Sequence, residues 1–89
     1  MLSYFKFHTD EIEDKNLCKY AIVCYDKDND YYGYFETSDD LEELKTKLPL
    51  YKEAIHNDLI RRKGHGEPYD WAFIEETATQ KQIIGSWEI

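Results

Sequence analysis

Apolar and polar positions alternate along much of this chain with the period of an extended strand. Leu2 to His8 alternates and is rich in aromatic residues, which predicts a first strand, and TDEIEDKN, residues 9 to 16, forms a polar connection. Leu17 to Tyr25 is apolar on both faces, with Cys18, Tyr20, Ile22 and Cys24 on one and Ala21, Val23 and Tyr25 on the other. A strand that lacks a polar face needs neighbours on both sides, so this segment is expected at the centre of a sheet. DKDND, residues 26 to 30, interrupts it, and Tyr31 to Glu36 resumes with strong β-formers. Two such runs around a short polar stretch predict a hairpin.

The period then changes to that of a helix. Thr37 and Ser38 are both good N-caps, and Thr37 with Asp40 has capping-box spacing. Asp39, Asp40, Glu42 and Glu43 fill the first turns, where carboxylates complement the helix dipole. Leu41, Leu44 and Leu48 form an apolar stripe, which Pro49 should interrupt because it lacks a donor and its ring crowds the preceding turn. A fresh stripe of Leu50, Ala54 or Ile55, and Leu59 carries the expected helix on to Arg61, Arg62 and Lys63, with Gly64 as its stop. GHGEPYD, residues 64 to 70, is loop; Trp71 to Thr77 and Gln82 to Ile89 are further strands, with ATQK as the turn between them. The expected architecture is a single α+β domain over residues 1–89 in the order β-β-β-α-β-β. Its sheet is antiparallel, and a helix broken near Pro49 packs on one face.

That arrangement leaves an imbalance. One helical layer covers one face of the sheet, yet both faces carry large side chains: Tyr32 and Tyr34 oppose Tyr31 and Phe35, while Trp71 and Phe73 oppose Ile74. Gly33, between the tyrosines, leaves room for a close neighbour. Aromatic surface beyond the needs of a small one-sided core points to a partner or to self-association.

Charge sharpens the expectation. The net charge is −8, and all the excess lies in residues 1 to 43, with twelve acids against four lysines; residues 44 to 89 carry seven of each sign. An acidic chain without a cationic face is a poor binder of nucleic acid. In a three-strand meander, Asp10, Glu11, Glu13 and Asp14 are expected to share one end of the sheet with Asp39, Asp40, Glu42 and Glu43, concentrating a negative field there. The chain lacks a long apolar run and the features of a secretory signal, so a cytoplasmic protein with two reduced cysteines is expected and no membrane is implied. Cys18 and Cys24 lie about 20 Å apart if they share one strand, too far for a bridge.

Candidate chemistry is sparse. Asp26, Asp28 and Asp30 have the opening spacing of a calcium loop, but Tyr31 stands where its glycine belongs and Thr37 where its bidentate glutamate belongs. The aspartates are therefore expected to build the hairpin turn. His8, Cys18, Cys24, His56 and His65 lack zinc-ligand spacing, so neither metal nor cofactor is expected. Arg61-Arg62-Lys63-Gly64-His65-Gly66 reads as the cationic close of a helix rather than as a phosphate cradle. Neither His65 with Glu67 nor Cys24 with a distant histidine forms a marked catalytic pair, and no nucleophile or nucleotide motif is present, so an enzyme is not expected.

In size, acidity and lack of catalytic motifs the chain resembles the small inhibitors encoded by phages and mobile elements, the anti-defence and anti-CRISPR proteins among them. Some of those imitate nucleic acid by presenting carboxylates to a basic groove, and the resemblance implies a partner of that kind. The expected function is accordingly a non-enzymatic module whose acidic end, with Tyr31, Tyr32 and Tyr34, engages a basic protein surface, such as that of a nucleic-acid-binding protein. Two alternatives are a homodimer that buries the second sheet face, and a small-ligand binder using the Gly64–Trp71 loop with Tyr69 and Trp71 as a stacking platform.

Overall fold

The computed structural model describes residues 11–12, 17–62, 64 and 66–89. The expected strand Leu2–His8 lies outside them, as do Asp10, Glu13, Asp14, Lys63 and His65. The described chain forms β1 (Tyr20–Asp26), β2 (Tyr31–Ser38), α1 (Leu41–His56), β3 (Trp71–Glu76) and β4 (Lys81–Gly85), followed by a single 3₁₀ turn over Ser86–Glu88. All strand pairs are antiparallel and the order is β2-β1-β3-β4. The strand that is apolar on both faces, β1, is thus flanked on both sides, as its composition requires.

The β1–β2 hairpin carries a bulge that decides what faces the helix. Ile22 pairs with Glu36 and Val23 with Tyr34, so Phe35 is the extra residue. Both Phe35 and Glu36 consequently meet α1: the Phe35 ring packs edge-on against Tyr51 at 5.8 Å, and the Tyr51 hydroxyl donates to Glu36 at 2.7 Å. The main core lies between this sheet face and the helix, with Ile22, Cys24, Phe35, Leu44, Leu48, Tyr51, Ala54, Ile60, Tyr69, Ala72 and Ile74 all buried. A Cβ on Gly33 would run into the Tyr69 hydroxyl, so the neighbour for which that glycine leaves room is Tyr69.

The helix departs from expectation at both ends and in its middle. Asp40 is the N-cap, its side chain accepting from the Glu42 amide at 3.0 Å, because β2 continues to Ser38 and keeps Thr37 and Ser38 in the sheet. Pro49 lies inside one continuous helix and does not break it. Pro49 and Lys45, whose carbonyl loses its donor, both stand on the exposed side, where water can replace the missing bond, while Leu44, Leu48, Tyr51 and Ala54 hold the buried side. The helix stops at His56 instead of continuing to Lys63: Asp58 takes a left-handed φ of 59°, and the Leu59 amide returns to the Ala54 carbonyl at 2.8 Å. That turn leaves Leu59 half exposed and puts Ile60 in the core. At the other end of the chain, the last expected strand stops at Gly85 and gives way to the 3₁₀ turn. Among the described residues no helix is long and apolar enough to cross a membrane.

Candidate functional site

The aspartates of the hairpin serve the turn. Asp26, 2% exposed, accepts from the Asp28 amide at 3.1 Å and from the Asn29 side chain at 2.7 Å. Asp30 adopts a left-handed φ of 50° and accepts from the Tyr25 hydroxyl at 2.7 Å. That bond, with lesser contributions from burial and the Asp30 charge, pushes the Tyr25 phenol up to about 12. Cys18 and Cys24 are both free thiols, and burial raises the Cys24 thiol far above its ordinary value.

The acidic end forms in part. Asp39, Asp40, Glu42 and Glu43 gather where β2 passes into α1, and each has internal work. Asp39 accepts from the Lys19 amide at 2.9 Å, and Asp40 caps the helix. Glu42 pairs with Lys45 at 3.2 Å, while Glu43 accepts from Ser38 at 2.9 Å and approaches Lys47 at 3.5 Å. Glu11 is not with them. It accepts from the hydroxyls of Tyr31 and Tyr69, and the next amide, Ile12, donates to the Tyr34 carbonyl at 2.7 Å. Tyr31 begins β2 and Asp39 follows its end, a separation of about 23 Å along the strand. Two phenol donors at the turn end of the sheet draw Glu11 away from the carboxylates it was expected to join.

Tyr31 parts company with Tyr32 and Tyr34 as well. Its ring lies on the helix side, stacked at 6.5 Å on Tyr69 and covered by the Arg62 guanidinium 3.9 Å from its centroid. The hydrogen bond to Glu11, followed by burial, raises the Tyr31 phenol; burial and then Glu11 raise Tyr69. Arg61 pairs with Asp58, so neither described arginine closes the helix. Tyr69 is a core residue and Trp71 belongs to the opposite sheet face, so the expected stacking platform of the two does not form.

What does form is an aromatic surface on the sheet face opposite α1, the helix-free face, which carries no helix among the described residues. Strand alternation places Tyr25 of β1, Tyr32 and Tyr34 of β2, and Trp71 and Phe73 of β3 on that side, above buried Ala21 and Val23. The rings are coupled: Tyr25 lies 4.6 Å from Tyr32 and 5.2 Å from Trp71, Tyr32 meets Phe73 edge-on at 6.3 Å, and Trp71 meets Trp87 edge-on at 6.0 Å. Tyr32 is 50% exposed and Trp87 54%. Together the five strand aromatics line a hollow of ≈ 590 Å³, completed by Glu75, Gln80 and Gln82.

Glu75 is its one charged lining residue, and it is 6% exposed. The Tyr34 hydroxyl donates to it, and burial followed by this bond raises the Tyr34 phenol well above its ordinary value. Among the described residues no lysine, arginine or histidine pairs with Glu75. The contrast with Glu36 is direct. Glu36, 5% exposed on the helix side, has both the Tyr51 hydroxyl and the Lys47 ammonium, the latter at 2.8 Å. Two nearly buried carboxylates thus occupy opposite faces of one small sheet, and among the described residues only Glu36 has a counter-cation. In register, Glu75, Ala21 and Thr37 run across the sheet, so this end of the hollow lies two residues short of Asp39 and the acidic end.

Glu75 and Trp87 were not singled out from the sequence. Glu75 follows Phe73 by two positions in a strand, which puts it on the aromatic face by alternation alone; nothing in the sequence marks its lack of a cation, which depends on where the lysines fall in space. Comparison with known protein families, curated proteins and solved structures finds no match to the chain.

Proposed function

We propose that this chain is a non-enzymatic protein-binding module that offers the helix-free face of its sheet to a basic surface of a partner protein. One observation carries the reading: five aromatic side chains, four of them in ring contact, on a face that no described helix covers, around an almost buried carboxylate without a counter-cation among the described residues. Aromatic rings supply contact area at little entropic cost, and the carboxylates at the adjoining end supply the field that orients a cationic partner. The net charge of −8 gives that field its sign. Basic grooves with which proteins hold nucleic acid meet the requirement, and occupancy of such a groove by this module would block it, the behaviour of a small inhibitor.

Self-association through the same face is disfavoured by its chemistry. A second copy would bury two Glu75 side chains together and bring no cation from the lining, which contains none. The test is affinity capture on the full chain beside its Tyr32→Ala variant, repeated from about 50 to about 500 mM salt. The reading expects proteins with basic surfaces that the wild type retains and the variant loses, with binding that weakens as salt rises. Retention independent of both Tyr32 and salt would overturn it.

A further inference from the structure

We infer that the hollow on the helix-free face receives an arginine side chain of the partner, its guanidinium against Glu75 and its stem along Phe73. The inference rests on the docking reading above and specifies its chemistry.

Four observations lead to it. A carboxylate that is 6% exposed is strongly desolvated, and one phenol offsets only part of that cost; a cation completes the site. Tyr34, whose hydroxyl donates to Glu75, and Phe73 line the same hollow, and ring faces attract cations. Gln82 is the cross-strand neighbour of Glu75, and Gln80 lines the same hollow, so two further side chains with acceptor oxygens belong to the site. Arginine suits this set better than lysine, because a planar guanidinium stacks on rings, is weakly hydrated and carries five donors for several acceptors. Phe73 precedes Glu75 by two residues, about 7 Å along the strand, which matches the reach of an arginine stem. The main chain of the partner would then lie at the level of Phe73, beside the coupled rings of Tyr25 and Trp71.

The experiment is a titration of the full-length protein with three short capped peptides that differ only in a central arginine, lysine or norleucine, followed by two-dimensional NMR. The arginine peptide is expected to shift the Trp71 indole, the Gln82 side-chain amide and the backbone amides of Phe73 and Glu75 in one saturable process. The lysine peptide should bind about threefold or more weakly, and the norleucine peptide should not saturate. Glu75→Gln, which keeps an acceptor for Tyr34, should weaken the arginine peptide by about tenfold or more, whereas Glu53→Gln on the exposed side of α1 should not change it. Equal responses to all three peptides, no saturable shift around Glu75, or unchanged binding by Glu75→Gln would each overturn the inference. Such a failure leaves the docking reading standing if Tyr32-dependent, salt-sensitive capture persists, and the two are thereby told apart.

Discussion

Glu36 and Glu75 are the same side chain at nearly the same burial, and their surroundings predict opposite responses to the same substitution. Glu36→Gln breaks a charged contact with Lys47 in the core and should cost about 1–3 kcal/mol. Glu75→Gln removes an unneutralised charge while keeping an acceptor for Tyr34, and its melting temperature should hold or rise. Thermal unfolding of both variants in one buffer checks this, and a Glu75→Gln loss as large as that of Glu36→Gln would contradict it. Alkaline titration tests the phenols. Tyr25 is raised to about 12 from the usual 10, so folding favours its protonated form; the stability it lends is present below pH 10 and is lost as pH climbs toward 12. Phenolate absorbance should therefore show Tyr25, Tyr31, Tyr34 and Tyr69 ionising later in the folded protein than in urea, and Asp30→Asn should return Tyr25 toward 10. At this scale the sequence is readable where a residue acts locally: the turn role of Asp26 and Asp30 and the space at Gly33 both follow from residue type. The partners of Glu11 were not readable, because Tyr31 and Tyr69 approach it from 20 and 58 residues away.

The helix is where local rules met tertiary packing. Asp40→Ala should cost about 1 kcal/mol by leaving the Glu42 amide without its acceptor, whereas Thr37→Ala should leave the helix terminus intact. Pro49→Ala should stabilise the fold by roughly 1–3 kcal/mol, because it restores a donor within an uninterrupted helix at an exposed position. Denaturant midpoints measure all three, and a destabilised Pro49→Ala variant would mean that the ring, rather than the helix around it, holds that turn. The strands β1, β2 and β3 were legible because alternation and β-branched or aromatic runs mark them. The helix end was not, because Leu59 continues the apolar stripe while the backbone turns at Asp58 to bury Ile60 instead. The bulge at Phe35 was equally hidden, since an extra residue in one strand changes the register without changing the pattern.

For the molecule as a whole, asymmetry is the central fact. One sheet face is closed by α1 and the other presents rings, with an acidic end beside Glu75 and a net charge of −8 whose excess lies in the first 43 residues. The acidic end was legible in Asp39, Asp40, Glu42 and Glu43, adjacent in sequence and therefore in space. The aromatic face was legible as an excess of rings on both sides of the strands, while its geometry needed the strand order β2-β1-β3-β4 to bring Tyr32, Tyr25 and Trp71 side by side. The most direct measurement of the docking claim uses a photo-crosslinking phenylalanine analogue at Tyr32, the half-exposed ring on the edge strand of the aromatic face, beside the same analogue at Glu53 on the exposed side of α1. The account predicts crosslinks from position 32 to a protein with a basic surface, lost at high salt, and none to that protein from position 53. Crosslinks from position 53 alone, or crosslinks from position 32 that persist in high salt, would contradict it.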